Sequence, residues 1–324
     1  MVCYHPKIAW QLKSINPETG KRHKPVFRMP IDMEIQRVTR YEQAVLDGTD
    51  ITYQQPVYEK LDEYEEITVP CGKCLGCLKD RSRQWAVRCV HEASLYDQNC
   101  FITLTFDDDH LDPSLSLNKR DYVLFMKRLR KRFGDNIRFF HCGEYGDLRL
   151  RPHHHAIIFN FDFPDKELFQ VKGGVRLYRS AELERLWPFG FSTIGAVSFE
   201  SAAYVARYVL KKIGVVDKKK YYRGRVEPYI TMSRRPGIAS EWFQRFYKDV
   251  YPHDYVVINN GMKLRPPRYY DKLYDLRYPD TFQQIKDARK ERALEHEEEN
   301  TPDRLSVRER IAQLKQQQFT RNID

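Results

Sequence analysis

Two histidines at alternate positions mark the stretch of this chain that is best equipped for chemistry. His153 and His155 belong to the segment RPHHHAIIF, whose apolar residues are typical of a β-strand. Because successive side chains of a strand point to opposite faces, these imidazoles share one face and His154 points away. A second strand-like segment, IRFFHCGEYG, contains Glu144, and a short hairpin would bring this carboxylate to the imidazoles. Two neutral imidazoles and a carboxylate form a site with open positions, which suits Mg²⁺ or Mn²⁺ acting on a phosphate.

Simpler interpretations of these histidines stay open. Three adjacent histidines also occur by coincidence on the polar face of a hairpin, and the His-x-His pair alone favours that interpretation. His141 is a second candidate for the third ligand, but strand alternation puts it on the opposite face from Glu144 unless a bulge intervenes. Glu144 is therefore the preferred ligand.

A pair of tyrosines supplies a candidate nucleophile. Tyr204 and Tyr208 belong to the segment SAAYVARYVLKK, and on a helix two residues four positions apart share a face. Tyrosines at this spacing more often pack in a core, but beside a His-x-His strand in a basic chain they predict catalysis by a phenol. The ordinary pKa of tyrosine is about 10. Lys211 is expected to favour either the ionised phenol or the transition state.

Apolar periodicity predicts the elements that must position these groups. Residues 78–96 and a segment after Asn118 have helical spacing, and residues 101–106 alternate apolar residues with threonine as strands do. A short helix over 180–187, a strand over 191–199 and the tyrosine helix follow the histidine strand. The order strand, helix, two strands, helix, strand, helix predicts an α+β fold with helices packed on an antiparallel sheet.

Taken in order, these motifs resemble the HUH endonuclease superfamily. The motifs are FITLTF, GEYG, PHHHA and the Tyr-x-x-x-Tyr helix with YVLK. Within that superfamily the chain is most similar to the replication initiators of small single-stranded DNA phages, the gokushovirus-like microviruses, which PCGKCLGCLKDRSRQWAVRCVHEA also resembles. The resemblance extends roughly from Val69 to Lys212, and its specificity lies in the order of the motifs. His154 departs from the pattern, because an apolar or aromatic residue is more usual there.

The resemblance implies both a fold and an activity. It implies a ferredoxin-like, RRM-like core sheet in which His153, His155 and Glu144 hold the metal and Tyr204 or Tyr208 attacks DNA. The implied activity is that of a replication initiator endonuclease, which nicks the phage origin by transesterification. A 5′-phosphotyrosine and a 3′-OH primer for rolling-circle replication result, and the strand is later rejoined. The implied partners are origin DNA and the host replication helicase and polymerase, in the cytoplasm of the infected bacterium.

Two other functions remain compatible with the sequence. The first is a non-catalytic protein that binds single-stranded nucleic acid through zinc and basic, aromatic loops. The second is a metal-dependent nuclease that uses water instead of tyrosine as its nucleophile. No G-x-x-x-x-G-K-[ST] motif is present, so unwinding of DNA is expected from another protein.

A cysteine cluster predicts a second, structural metal site. Cys71, Cys74 and Cys77 form the segment CGKCLGC, a spacing that indicates metal binding in a reducing compartment. Tetrahedral Zn²⁺ requires four ligands, and Cys3 is the preferred fourth. Further candidates for that position are His5, Cys89 and Cys100. Buried thiols without a metal are the simpler alternative.

The charge of the chain favours a polyanionic partner. The 324 residues carry a formal net charge of +10 with a pI near 9.1, so nucleic acid is the first candidate. No segment has the apolar length of a membrane span, and the N-terminal residues do not have the pattern of a secretory signal. The segment KKKYYRGR interleaves cations with rings on which bases could stack, although a solvated loop is equally compatible. The candidate DNA-binding residues are Arg151, Arg207, Lys212, Lys219, Lys220, Tyr221, Tyr222 and Arg223.

Three regions are expected along the chain. Residues 1–77 form an N-terminal appendage that is irregular up to about residue 70 and contains the cysteine cluster. Residues 78–260 form the endonuclease core with its basic extension. Residues 261–324 form a charged, helical C-terminal arm.

Overall fold

The chain is organised in two compact units. The computed structural model describes residues 3–17, 21–27, 63–146, 150–208, 221–258 and 261–320. One unit comprises Met1–Cys77 with Thr301–Asp324, and the other comprises Leu78–Asn300. The helical arm expected from residue 261 onward is thus divided between the two units. Among the described residues, no helix combines the length and the apolar composition needed to cross a membrane.

Strands and helices are numbered in chain order. The strands are β1 (Lys7–Leu12), β2 (Ile15–Asn16), β3 (Lys21–Arg22), β4 (Tyr64–Val69), β5 (Asn99–Thr105), β6 (Arg138–Tyr145), β7 (Pro152–Phe159), β8 (Glu167–Lys172), β9 (Val175–Arg179), β10 (Ser192–Gly195), β11 (Tyr229–Met232), β12 (Val256–Ile258) and β13 (Met262–Leu264). The helices are α1 (Leu75–Ala93), α2 (Lys119–Phe133), α3 (Ala181–Leu186), α4 (Phe199–Tyr208), α5 (Ser240–Val250), α6 (Arg268–Arg277), α7 (Pro279–Leu294) and α8 (Pro302–Thr320), with a 3-10 turn at Glu297–Asn300.

A seven-stranded sheet forms the centre of the larger unit. Its strand order is β11-β6-β7-β5-β10-β9-β8, and each neighbouring pair is antiparallel. The predicted α+β class with an antiparallel sheet is therefore confirmed. The sequence analysis did not predict β8, β9 and β11. A signal for the first two was present, because Gly173 and Gly174, with φ of 57° and 79°, are typical of a two-residue hairpin turn.

The two faces of the sheet pack against different helices. On one face, Ile102, Ile158 and Ile194 pack in a core with α2 and α3, whose side chains include Phe125 and Leu183. On the other face, Phe140, Ile157 and Phe159 pack in a core with side chains of α1, α4, α5 and α6. The latter is called the metal face below, because alternation puts His153 and His155 on the same side as Ile157 and Phe159.

The N-terminal residues are more regular than expected. Strand β1 pairs with β4 in antiparallel register from Lys7 opposite Val69 to Leu12 opposite Tyr64, and β2 pairs with β3. The expectation of an irregular segment up to residue 70 is wrong in this respect. Strand β4 follows β1 by more than fifty residues, and short strands that pair over such a separation show little local periodicity.

Candidate active site

The hairpin of β6 and β7 brings the histidines and the glutamate together. Glu144 lies directly opposite His153 in the antiparallel register. On the other side of β7, Thr105 lies opposite His153 and Thr103 lies opposite His155. Paired residues of antiparallel strands project from the same face. The central strands of the sheet therefore position all five side chains on the metal face.

Three ligand atoms converge on one point. The Nε2 atoms of His153 and His155 each lie 3.0 Å from Oε1 of Glu144. All three ligand atoms lie within 4.8 Å of one another. Glu144 and His155 are buried, and His153 is partly exposed. The site is thus a buried cluster with one side that is open to solvent.

Hydrogen bonds at the far side of each ring set the tautomers. Nδ1 of His153 lies 3.0 Å from the carbonyl oxygen of Arg151, and Nδ1 of His155 lies 2.9 Å from Oγ1 of Thr103. A carbonyl oxygen only accepts, so Nδ1 of His153 donates and its Nε2 directs a lone pair towards Glu144. Such partners orient metal-binding imidazoles in proteins. Thr103 is a functional candidate that the sequence analysis missed, although FITLTF shows threonines on one strand face.

The electrostatics of the cluster favour a cation at its centre. Burial lowers the pKa of the His155 imidazole, which keeps this ring neutral and its Nε2 available as a ligand. With Nδ1 protonated, both Nε2 atoms and the carboxylate oxygen are acceptors that face one another. Three converging acceptors repel unless a positive charge lies between them. Two neutral imidazoles and one carboxylate, with open coordination positions, are suitable ligands for a divalent ion.

His141 and His154 lie on the opposite face of the sheet. Both are fully buried, and Nε2 of His141 lies 3.1 Å from Nδ1 of His154. His141 also stacks on Tyr122, with ring centroids 3.5 Å apart, and contacts Oγ1 of Thr231 at 2.7 Å. Burial lowers the pKa of His154 to about 3 and that of His141 well below its ordinary value. His141 is therefore not placed to serve as the alternative third ligand.

Helix α4 positions Tyr204 beside the histidines. The backbone N–H of Ser201 donates to Oγ of Ser198 at 3.1 Å, and the N–H of Ser198 donates to Oγ of Ser201 at 2.8 Å. This reciprocal cap begins the helix, and its buried residues then pack on β6 and β7. The ring of Tyr204 meets His155 edge-on, with centroids 5.3 Å apart. Tyr204 is thus adjacent to a candidate metal ligand.

Several predicted residues lie outside the described part of the chain. The backbone of α4 is described to Tyr208, but the side chains of Arg207 and Tyr208 are not. The other predicted residues outside the described ranges are Lys211, Lys212, Lys219 and Lys220.

The remaining predicted DNA-binding residues differ in exposure. Arg151 forms an ion pair with Asp108 and donates to the carbonyl oxygen of Phe106 at 2.7 Å. Tyr221 is exposed, as is Arg223. Tyr222 is only 4% exposed and packs in a small apolar cluster, so the prediction that its ring is available for base stacking is wrong.

Four cysteine sulfurs form a second cluster within the smaller unit. Sγ of Cys74 lies 3.9 Å from that of Cys3, and Sγ of Cys71 lies 4.0 Å from that of Cys77. All four sulfurs lie within 4.8 Å of one another. Neighbouring ligands of tetrahedral zinc, with bonds of about 2.3 Å, are separated by about 3.8 Å. The separations therefore fit one zinc ion.

Backbone N–H groups point at these sulfurs. The N–H of Cys71 donates to Sγ of Cys3 at 3.2 Å, and that of Cys74 donates to Sγ of Cys71 at 3.3 Å. Burial raises the pKa of Cys71, but N–H groups of Lys73 and Cys74 outweigh it and lower the pKa to about 7. The cluster thus favours thiolate at Cys71.

The rival fourth ligands lie elsewhere. Cys89 belongs to the core on the metal face of the sheet, and Cys100 belongs to the core on the opposite face. His5 forms an ion pair with Glu309, at 2.8 Å.

Comparisons with known proteins match the central part of the chain. The sequence model of the replication-associated protein ORF2 family matches residues 99–213. Replication-associated protein VP4 of Bdellovibrio phage phiMH2K is 34% identical over 242 residues, which cover 72% of this chain and 75% of that protein. Replication-associated protein ORF2 of Spiroplasma virus 4 is 35% identical over 229 residues, covering 66% and 70%. Replication-associated protein ORF4 of Chlamydia phage 1 is 32% identical over 230 residues, covering 66% and 56%. No solved structure matches this chain.

Proposed function

Because this chain belongs to the family of phage replication-associated proteins, we propose that it is a replication initiator endonuclease that nicks single-stranded origin DNA. The proposed reaction is transesterification by a tyrosine, which leaves a 5′-phosphotyrosine and a 3′-OH primer for rolling-circle replication. The family membership agrees with the resemblance that the sequence motifs indicated. The observation that supports the chemistry is the convergence of Glu144, His153 and His155 beside Tyr204.

Glu144, His153 and His155 are the residues that would hold Mg²⁺ or Mn²⁺. Two ligands bound at right angles to one ion at about 2.1 Å lie about 3.0 Å apart. The 3.0 Å between Oε1 of Glu144 and each Nε2 fits this separation. When bound, the ion would polarise the scissile phosphate and offset the charge that develops on its oxygens.

Tyr204 is the proposed nucleophile among the described residues, with Tyr208 as the second. The phenol oxygen attacks phosphorus while the bond from phosphorus to the 3′ oxygen breaks. The phosphate stays on the 5′ side, bound to tyrosine, and the departing 3′ oxygen takes up a proton as the phenol loses one. The covalent link conserves the energy of the phosphodiester, so rejoining requires no ATP. Lys211 is proposed to assist by favouring the ionised phenol or the transition state.

The strand order supports a ferredoxin-like core. The strands β6-β7-β5-β10 are neighbours in the sheet, while their chain order is β5, α2, β6, β7, α3, β10. This β-α-β-β-α-β arrangement is that of the ferredoxin-like motif. We propose that these elements form the endonuclease core of the HUH type and that β8, β9 and β11 extend it.

We propose that the protein acts in the infected host, with a host helicase and polymerase as partners. The reasoning rests on the chemistry of the product, because a free 3′-OH is a primer but not a polymerase. The family membership supports DNA as the substrate.

An adduct experiment tests the proposal. The purified protein is incubated with Mn²⁺ and single-stranded oligonucleotides that tile the phage origin, and denaturing electrophoresis detects a covalent protein–DNA species. We expect an adduct that mass spectrometry locates on Tyr204 or Tyr208 and that His153→Ala abolishes. The double variant Tyr204→Phe/Tyr208→Phe is expected to form none.

The two rival functions give different outcomes. Binding of DNA without any adduct would support a non-catalytic single-stranded DNA-binding protein. Cleavage that persists in the double tyrosine variant but is lost in His153→Ala would support a nuclease that uses water.

The cysteine cluster is proposed to hold a structural zinc ion. The four sulfur separations and the N–H groups that face the sulfurs support this assignment. Elemental analysis by plasma mass spectrometry is expected to find one zinc per chain in the wild type and in Cys100→Ala, and little in Cys3→Ser. Equal zinc in all three proteins, or none in the wild type, would contradict the proposal. Removal of zinc by a chelator is expected to lower the melting temperature, because metal-binding free energy contributes to folding.

A further inference from the structure

The metal face of the sheet continues past the histidines on the outer strands. Ile194 pairs with Ile102 and with Tyr178, and these side chains pack in the core on the opposite face. Alternation therefore directs Thr193 of β10 and Arg179 of β9 to the metal face. A Cβ atom on Gly195 would contact side chains of Phe101 and Leu177, which agrees with this assignment. The surface that bears the histidines thus extends through β5 and β10 to β9.

Two exposed phenylalanines lie on this extension. Phe169 of β8 is 50% exposed, and Phe191, just before β10, is 42% exposed. Their ring centroids are 5.8 Å apart and the rings meet edge to face. The guanidinium of Arg179 lies over both rings, 4.6 Å from the centroid of Phe191 and 5.5 Å from that of Phe169. Phe169, Phe191 and Arg179 are called the aromatic platform below.

The platform is directly connected to the candidate active site. The N–H and the hydroxyl of Thr105 both donate to the carbonyl oxygen of Phe191, at 2.9 and 2.8 Å. Thr105 is itself paired with His153. Since neighbouring strands are about 4.8 Å apart, Phe191 lies about 10 Å from the histidine strand.

A β-bulge lies at the outer edge of the platform. The register of β8 against β9 shifts between Leu168 and Gln170, so that Phe169 is an additional residue on the edge strand. Bulges are common at sheet edges and beside active sites, where they redirect side chains. The hairpin sequence from Lys166 to Arg179 contains four cations and one acid, which suits a polyanion.

We propose that the aromatic platform binds single-stranded DNA beside the scissile phosphate by stacking bases on Phe169 and Phe191. This inference rests on the proposed function for the location of the scissile phosphate. Exposed rings combined with arginine on an open sheet face are the features of sequence-tolerant single-strand binding. The continuity with the histidine strand favours DNA over a second copy of the chain as the occupant. Arg179 holds the rings together and adds a cation–π contribution, while it is also paired with Glu184 at 2.6 Å.

The experiment measures binding separately from cleavage. Fluorescence anisotropy is recorded with fluorescein-labelled oligothymidylate in EDTA, where no metal-dependent nicking occurs. Loss of one stacked base weakens binding about 5- to 150-fold, so Phe169→Ala and Phe191→Ala are each expected to raise Kd within this range. Phe169→Trp, which keeps a ring, is expected to bind as the wild type does.

Two matched controls isolate stacking from other effects. Val171→Ala removes a side chain of the same hairpin that is 57% exposed on the other face, and it is expected to leave Kd unchanged. An abasic strand of the same length has no bases to stack, so the wild type and both alanine variants are expected to bind it equally. Circular dichroism at the same concentrations checks that each variant is folded.

Three results would overturn the inference. These are an unchanged Kd in both alanine variants, an equal loss on the abasic strand, and a change in sedimentation of the DNA-free protein without any change in Kd. The last result would identify a second copy of the chain as the occupant. If the platform variants lose binding but the wild type forms no covalent adduct, the proposed nicking fails while the binding site stands.

Discussion

The hydroxyl of Thr103 acts on the candidate metal site only through His155. It contacts Nδ1 of this histidine and leaves Nε2 directed at Glu144. A partner of this kind fixes the tautomer and the orientation of a metal ligand. Thr103 is therefore a positioning residue, and its removal should change metal affinity more than stability.

We expect Thr103→Val to weaken Mn²⁺ binding about 10- to 100-fold, because Nδ1 of His155 loses its acceptor. Titration of Mn²⁺ followed by electron paramagnetic resonance measures this affinity directly. Thr103→Ser keeps the hydroxyl and is expected to bind Mn²⁺ as the wild type does. A purely structural role would instead lower the melting temperature of Thr103→Val without changing its affinity for Mn²⁺.

At the scale of the elements, the approach of β10 to β5 depends on Gly190. This residue has φ of 149°, and a Cβ atom there would lie 2.4 Å from the backbone nitrogen of Asp107 and 2.6 Å from the carbonyl oxygen of Thr105. Backbone atoms cannot move aside as a flexible side chain can. The start of β10, and with it Phe191, is therefore held against the end of β5 by the absence of a side chain.

We expect Gly190→Ala to be more destabilising than Gly134→Ala. Both glycines have positive φ, which costs an L-residue about 1–3 kcal/mol, but a Cβ on Gly134 would meet nothing within 4 Å. Overpacking at Gly190 should add about 1–3 kcal/mol. Urea denaturation of the two variants measures the difference, and equal free energies of unfolding would show that the close approach is not rigid.

At the scale of the whole molecule, His91 links stability to pH. Its ring is buried, stacks on Trp242 with centroids 3.5 Å apart, and contacts the hydroxyl of Tyr270 at 2.9 Å through Nδ1. Burial lowers the pKa of His91 to about 4 from the ordinary value of 6.5. Between these two pH values the unfolded chain binds a proton that the folded chain does not. The contribution of neutral His91 to stability is therefore complete above pH 6.5 and decreases on acidification towards pH 4.

We expect the free energy of unfolding to depend less on pH in His91→Gln than in the wild type. One such group contributes a slope of up to about 1.4 kcal/mol per pH unit within the window. The difference between the two proteins should change between pH 6.5 and 5 and should be constant above pH 7. Parallel curves over the whole range would show that His91 is not the titrating group.

The local sequence determined the features that depend on periodicity. Alternation along one strand predicted that His153 and His155 share a face, and the helical pattern predicted the helix that bears Tyr204. The order of strands and helices predicted the α+β class, and the order of the motifs predicted the family. Each of these properties is set by neighbours within a few positions, so that a pattern in the sequence carries it.

Only the tertiary structure decided the contacts between distant segments. The pairing of β5 with β7 brings Thr103 to His155, and the folding of residue 3 against residues 71–77 brings Cys3 to its partners. The burial of Tyr222 and the aromatic platform likewise arise from packing between segments that are far apart in the chain. Strand register and side-chain packing are chosen by the free energy of the whole folded unit, and local periodicity contains little information about them.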